Sequence, residues 1–159
     1  MSEKLDPAVP VQLQTIAGAM GLGIVMLAAF VVFTYFQNAR VATVEGLRLI
    51  NLFTALTMGV TVAAIVGSEI AWKTMLARVR ADPSGKSLTT AFIIRTACRE
   101  GAAMLGCVTT LLAAMNGVLR ANSVYWADMA PAALFWSYLF LHWPSAANLE
   151  AEISGFPRI

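Results

Sequence analysis

The most constraining feature of this chain is an apolar run from Thr15 to Phe36 that contains no charged residue. A helix needs about 20 such residues to cross the hydrocarbon core of a bilayer. Three further apolar stretches follow, and they are too long for buried strands and lack the alternation of membrane-barrel strands. The sequence therefore predicts an all-α integral membrane protein, a single domain over 1–159. Its four transmembrane helices form two antiparallel hairpins at about 15–36, 49–72, 95–119 and 124–143, followed by a tail at 144–159.

Composition excludes the main soluble classes. Apolar residues make up 58% of the chain and charged residues 13%, against about 25% charged residues in a typical soluble domain. The net charge of +2 provides no basic face for nucleic acid. Cys98 and Cys107 lie in one apolar stretch, about 13 Å apart on a helix, too far for a disulfide. We expect membrane lipids as partners, and neither nucleic acid nor a soluble catalytic role.

The distribution of Lys and Arg predicts the orientation. Basic residues are concentrated between the second and third helices and are fewer at the opposite ends of the helices, and cytoplasmic loops carry such an excess. We expect both termini in the cytoplasm, in a bacterial inner membrane. The residues on the expected cytoplasmic side are Lys73, Arg78, Arg80, Lys86, Arg95 and Arg99, and those on the other side are Arg40, Arg48 and Arg120.

A possible internal repeat relates the first and third helices. At an offset of 78 residues, five of fifteen positions are identical: Ile16/Ile94, Ala19/Ala97, Gly23/Gly101, Met26/Met104 and Leu27/Leu105. The same region contains small residues four apart, which permit close contact between helices within the chain or with a partner.

The third helix carries Arg95, Ala97 and the run Glu100-Gly101-Ala102, and the fourth ends in Trp143-Pro144. This pattern resembles uncharacterised bacterial four-helix integral membrane proteins, which implies that fold and no assigned activity. The duplicated-hairpin architecture and the length are also similar to those of the rotor proteolipids of V-type ATPases. The chain departs from that family because its glutamates lie near the membrane boundary rather than at mid-membrane, and because it has fewer glycines.

Charged residues beside the apolar spans are costly and mark candidate sites. Glu69 lies near the end of the second helix, and Arg95 and Arg99 lie one turn apart at a similar depth on the third. We expect Glu69 to pair with one of these arginines as a structural ion pair. A proton or ion relay that includes Glu100 is the alternative. A further alternative is anionic lipid headgroup binding by the arginines with Lys73, Arg78 and Arg80.

Two other features are interpreted as structural rather than functional. The hydroxyl face of the second helix, which includes Thr54, Thr57, Thr61 and Ser68, is typical of packing with each hydroxyl bonded to its own backbone or a neighbour. His142 is the single histidine, whereas membrane b-type haems usually take two. We interpret it as interfacial, with cofactor ligation as the weaker alternative.

Pro131 lies either in the first turn of the fourth helix, capped by Asp128, or at a kink.

No catalytic set, metal motif or phosphate-binding loop is recognisable, so we expect no enzyme activity, no metal and no cofactor. The first hypothesis is a non-catalytic membrane subunit or scaffold that packs against other membrane proteins or against itself. The second is a small oligomeric ion or solute transporter, and the third is a pigment- or quinone-contacting subunit of an electron-transfer complex.

Overall fold

The computed structural model describes residues 7–81 and 86–154, and within them every regular element is helical. Residues 82–85, between the second and third expected helices, lie outside the described residues. The all-α prediction is confirmed. The helices are α1 (Ala8–Gln37), α2 (Val44–Ala81), α3 (Lys86–Met115), α4 (Val118–Ala121), α5 (Ala130–Leu141) and α6 (Ala146–Ser154), with a 3-10 segment at Ser123–Met129.

Two of these helices are long and apolar enough to cross a membrane: α1, and residues Val44–Leu76 of α2. Only 22% and 17% of the residues in their most apolar windows are buried. Large apolar side chains therefore lie on the outside, for example Phe36, which is 72% exposed, and Leu52, which is 67% exposed. Such faces suit a hydrocarbon environment or a partner protein.

Helix α3 occupies the middle of the described bundle, because its principal neighbours are α1, α2 and α5. The residue pairs Thr57–Thr109 and Glu69–Arg95 show that α2 and α3 run in opposite directions. The contact of Asn38 with Ala114 shows that α1 and α3 end together. In a simple hairpin α1 would pack directly on α2. This contact is not among the principal contacts of the described residues.

The end of the bundle that holds Asn38, hereafter the Asn38 end, contains the last turns of α1 and α3. The Asn38 side-chain amide donates to the carbonyls of Ala114 and Met115 at 2.8 and 2.6 Å. The Arg120 guanidinium donates to the carbonyls of Tyr35 and Phe36 at 2.9 and 3.2 Å. These carbonyls belong to the last turns of the two helices, where intrahelical donors are missing. Each helix terminus is therefore completed by residues from elsewhere in the chain.

The expected third helix, 95–119, is wrong at its C-terminal boundary, because α3 ends at Met115. Gly117 has φ of 71°, a conformation that other residues adopt at a cost. A Cβ there would also overlap the carbonyl group of Arg40. The chain therefore turns at this glycine and resumes as the short helix α4.

The expected continuous fourth helix, 124–143, is also wrong. Its first part is the 3-10 segment, and only Ala130–Leu141 is α-helical. Pro131 lies in the first turn of α5, where its missing N–H costs nothing. Asp128 does not cap α5, because the N-cap position is Met129, without a side-chain cap. The Asp128 carboxylate accepts a hydrogen bond from Thr54 instead.

The opposite end of the bundle, hereafter the Trp72 end, contains Trp72, Trp143 and the C-terminal helix α6. The Ser145 side chain accepts a hydrogen bond from the Asn148 N–H and thereby caps the N-terminus of α6. Leu149 is buried against the apolar core. These contacts dock α6 onto the bundle and position its acidic residue Glu152.

Candidate functional site

A cluster of charged side chains at the Trp72 end joins four helices, and we call it the charged cluster: Glu69, Arg95, Arg99, His142 and Glu152. The Glu69 oxygen Oε1 accepts from Arg95 Nη2 at 2.8 Å and from Arg99 Nη2 at 2.5 Å. Arg95 Nε donates to the same oxygen at 3.1 Å. The structure thus contains the predicted pairing of Glu69, and it does so with both arginines rather than one.

Helix geometry explains this convergence. Arg95 and Arg99 are four residues apart on α3, so their side chains lie on one face of the helix. Glu69 approaches from the antiparallel helix α2, together with its neighbour Ser68. Ser68 Oγ accepts a hydrogen bond from Arg99 Nε at 3.1 Å and donates to the Ile65 carbonyl at 2.9 Å. Arg99 is therefore fixed between a carboxylate and a hydroxyl.

A second carboxylate enters the charged cluster from α6. Arg95 Nη1 donates to the two oxygens of Glu152 at 3.4 and 3.3 Å. His142 Nδ1, just beyond α5, lies 2.7 Å from Glu152 Oε1. The three Arg95 nitrogens are thus divided between two carboxylates on different helices. This arrangement holds α2, α3, α5 and α6 in fixed relation.

Aromatic rings enclose the guanidinium groups. Arg95 lies 4.9 Å from the Trp72 ring centroid, and Arg99 lies 4.1 Å from that of Tyr138. Tyr138 also stacks on His142 with centroids 5.1 Å apart. Such cation–π contacts contribute about 0.5–2 kcal/mol each, and more when water is excluded. The side chain of Arg95 is only 7% exposed. Its positive charge is therefore stabilised by these protein partners rather than by water.

The charges balance within the charged cluster. Two guanidinium groups face two carboxylates, and the imidazole of His142 is a further partner of Glu152. Burial alone would raise the pKa of Glu152, but the His142 hydrogen bond and the charges of Arg95 and His142 outweigh it and lower the pKa. Glu152 is therefore ionised at neutral pH. The arrangement neutralises charge and joins helices, and its nitrogen donors are directed at carboxylates of the same chain.

The other predicted site residues do not join the charged cluster. Glu100 is half-buried and has no ion-pair partner among the side chains that the structure describes. Lys73 and Arg78 are exposed on α2, and the side chain of Arg80 lies outside the described residues. Among the described residues no group of three or more His, Cys, Asp or Glu side chains is placed to hold a metal ion.

Sequence reasoning missed Glu152 and Tyr138. Glu152 lies in the expected tail, three residues after the buried Leu149, and this spacing places the two side chains on one face of α6. That spacing was a usable signal. Tyr138 offered none, because a tyrosine in an apolar helix is equally compatible with an interfacial or a core position.

The hydroxyl face of α2 packs as predicted. Thr61 donates to the Thr57 carbonyl at 2.7 Å, and the hydroxyls of Thr57 and Thr109 lie 2.8 Å apart. Thr54 donates to Asp128 at 2.8 Å. The face therefore joins α2 to α3 and to the 3-10 segment through short polar contacts.

A shallow apolar groove of about 350 Å³ lies between α1 and α5. Gly21 allows its close packing, because a Cβ there would lie 3.2 Å from the Trp136 ring. The groove is lined almost wholly by carbon atoms, from Ala17, Gly18, Trp136, Leu139, Phe140 and Trp143.

Comparison of the chain with protein-family models, curated proteins and solved structures finds no match.

Proposed function

We propose that this protein is a non-catalytic integral membrane subunit that packs against other membrane proteins or against a second copy of itself. It has four membrane-crossing segments and lies in a bacterial inner membrane with both termini in the cytoplasm. The charged cluster then lies at the cytoplasmic boundary as a lock between helices, with the basic side chains of Lys73 and Arg78 nearby for lipid headgroups.

The third crossing carries charged residues in its first half, and α5 alone is too short to cross a bilayer, but the third and fourth crossings are compatible with one. The charges of Arg95 and Arg99 on α3 are neutralised within the bundle, which lowers the cost of placing them at the membrane boundary. The 3-10 segment has seven residues at about 2.0 Å rise and α5 has twelve at about 1.5 Å. End to end they span roughly 32 Å, against a hydrocarbon core of about 30 Å.

The observation that carries the subunit proposal is a set of glycines on outward helix faces. A Cβ added at any of them would meet no non-local atom of the described chain within 4 Å. Glycine inside a helix costs about 1 kcal/mol relative to alanine, and no contact within this chain requires it here. In membranes, small residues allow a neighbouring helix to approach closely. The five glycines are Gly18, Gly23, Gly59, Gly67 and Gly101.

The repeat strengthens this interpretation. Three of its identical pairs, Ala19/Ala97, Gly23/Gly101 and Met26/Met104, are exposed in both copies. The pattern shared by α1 and α3 is therefore an outward one, which internal packing does not explain. By contrast, Ala102 and Gly106 are buried, and a Cβ on Gly106 would overlap the Asp128 carbonyl. The first set supports contact with a partner, and the second supports packing within the chain.

Native mass spectrometry from mild detergent tests the proposal. We expect a complex of fixed stoichiometry, either with another membrane protein or with itself. Gly23→Leu and Gly101→Leu should each lower the fraction of complex at least tenfold while helicity is retained. Val25→Leu, at an exposed position on α1, is the matched control. A monomer that carries out a measurable reaction alone, lost in Glu100→Gln or His142→Ala, would contradict the proposal.

The orientation has a separate test. In a Cys98→Ser background, a cysteine placed at position 84 by Ser84→Cys should resist a membrane-impermeant thiol reagent in intact cells, because the sequence between the second and third crossings carries the Lys/Arg excess. Labelling should appear once the membrane is opened. Efficient labelling in intact cells would reverse the assigned topology.

The apolar groove favours a second candidate function, contact with a membrane quinone. Its aromatic lining suits a flat ring with an apolar chain. A quinone that binds there should quench tryptophan fluorescence in the intact chain, and replacing both tryptophans of the groove, by Trp136→Leu with Trp143→Leu, should remove most of the quenching. Quenching that is equal in both proteins would exclude the groove as the binding site.

A further inference from the structure

Asp128 is an ionisable group that the charged cluster does not use. Its side chain lies in the 3-10 segment and is completely buried, with 0% exposure. Its oxygen Oδ2 accepts a hydrogen bond from Thr54 Oγ1 at 2.8 Å. Its other oxygen, Oδ1, is buried and has no hydrogen-bond partner among the described residues. The carboxyl group is therefore shielded from solvent and only half satisfied.

The surroundings of Asp128 contain no compensating charge. No Lys, Arg or His side chain of the described chain lies within ion-pair distance of it. From α2 it meets the neutral hydroxyl of Thr54. From α3 the backbone at Gly106 packs against its carbonyl so closely that a Cβ would not fit. On its own segment, the titratable Tyr125 donates its hydroxyl to Asn51 at 2.5 Å.

An ionised carboxylate in such a place is unfavourable. Burying an unpaired charge costs far more than burying a neutral group, so the group becomes neutral instead. A neutral carboxylic acid needs only modest solvation, because it carries no charge and presents one acceptor oxygen and one O–H donor. The hydroxyl of Thr54 can donate or accept, so it serves the neutral acid as well as the anion.

We propose that Asp128 is a proton-binding site: it is a neutral carboxylic acid in the folded protein at neutral pH, enclosed by α2, α3 and the 3-10 segment. The proton replaces the missing counter-charge. This site is separate from the charged cluster, which lies at the Trp72 end, whereas Asp128 lies beside Thr54 toward the Asn38 end of α2. The inference does not depend on the proposed role as a subunit.

An alkali cation is the competing ligand for this carboxyl group. A bound cation takes several oxygen ligands, as hard cations do in proteins. Among the described residues, Thr54 supplies the one side-chain oxygen within hydrogen-bond distance of Asp128. A proton needs no such shell, and the observed contacts therefore favour it.

Infrared spectroscopy of the full-length protein in lipid vesicles at neutral pH tests the proposal. A protonated carboxyl group gives a carbonyl stretching band that carboxylates lack and that shifts on exchange into heavy water. We expect this band in the unaltered chain and its loss in Asp128→Asn. Glu100→Gln is the matched control. Glu100 is half-buried, and it is the one carboxyl group besides Asp128 in the described chain that is neither exposed nor in an ion pair. This substitution should leave the band unchanged.

Thr54→Val keeps the proposal testable if Asp128→Asn fails to fold. Loss of the hydroxyl weakens hydrogen bonding at the acid, so the band should persist and move to higher frequency. Three results would overturn the proposal: no band at neutral pH, a band removed by Glu100→Gln but not moved by Thr54→Val, or a band that appears only when alkali cations are removed. The last result would assign the site to an alkali cation.

Discussion

Replacing Arg95 with methionine tests whether the charged cluster stabilises the helix bundle. Methionine keeps an apolar stem but removes the guanidinium group, its hydrogen bonds to Glu69 and Glu152, and its contact with Trp72. Hydrogen bonds to charged groups contribute about 1.5–3 kcal/mol each, and the cation–π contact about 0.5–2 kcal/mol. These values set the upper range of the expected loss in the free energy of unfolding.

Two features make the expected loss of unfolding free energy smaller than this upper range. Glu69 retains Arg99 at 2.5 Å, and Glu152 retains His142 at 2.7 Å. Both carboxylates are also partly exposed, at 35% and 26%, so water can solvate them when Arg95 is lost. The penalty is therefore smaller than the 3–5 kcal/mol typical of a fully buried pair that loses one partner. We expect the free energy of unfolding to fall by about 2–3 kcal/mol.

Unfolding of the purified chain in mixed micelles with rising SDS fraction, followed by circular dichroism, measures this change. Arg48→Met is the control, because Arg48 is exposed on α2 and its loss should change stability by less than about 0.5 kcal/mol. Arg95→Lys should give an intermediate loss, since lysine keeps the charge without the planar donor set. If Arg95→Met is as stable as Arg48→Met, the charged cluster does not stabilise the bundle.

Three further changes have defined outcomes in the same unfolding assay. Gly117→Ala should destabilise by at least about 2 kcal/mol because of its positive φ and the backbone overlap, whereas Gly59→Ala, in open space on α2, should stabilise by about 0.5–1 kcal/mol. Equal effects would contradict the strain argument. Because the pKa of Glu152 is lowered in the folded chain, its contribution is complete above the ordinary carboxyl pKa of about 4.3 and is lost as the pH falls through the lowered value. The stability gap to Glu152→Gln should therefore shrink between pH 7 and pH 3, and a constant gap would refute this. Tyr125→Phe should cost about 1 kcal/mol through the lost hydrogen bond to Asn51, and no loss would show that this bond is not stabilising.

The sequence alone identified the features that depend on local pattern. The length of the apolar runs predicted α1 and α2, and depth along the helices predicted that Glu69 would meet Arg95 or Arg99. Each of these features is set by spacing within one helix or by matching depth in two.

The features that were missed depend on tertiary contacts. The 3-10 segment leads directly into the apolar helix α5, and the two together have the length of a helical span, so composition does not distinguish the 3-10 segment from an α-helix. Its geometry follows its packing on α3, where Gly106 admits the Asp128 carbonyl. Likewise, Glu152 joins the charged cluster because α6 docks back onto the bundle. Its spacing from Leu149 indicates which face of α6 it shares, but no local pattern gives the direction in which α6 returns.

At the Asn38 end, the last carbonyls of α1 and of α3 each accept hydrogen bonds from a residue elsewhere in the chain. This affects the order in which the helix ends can be completed during synthesis. The carbonyls of Tyr35 and Phe36 find their donor in Arg120, which is 84 or 85 residues further along the chain. Those of Ala114 and Met115 find theirs in Asn38, which the ribosome has already produced. The last turn of α1 must therefore wait, with water as its only partner, until α3 and α4 have emerged. A nascent chain that stops before Arg120 already contains α1, α2 and α3, but the last turn of α1 still lacks its donor. Quality-control proteases would encounter the chain in that form.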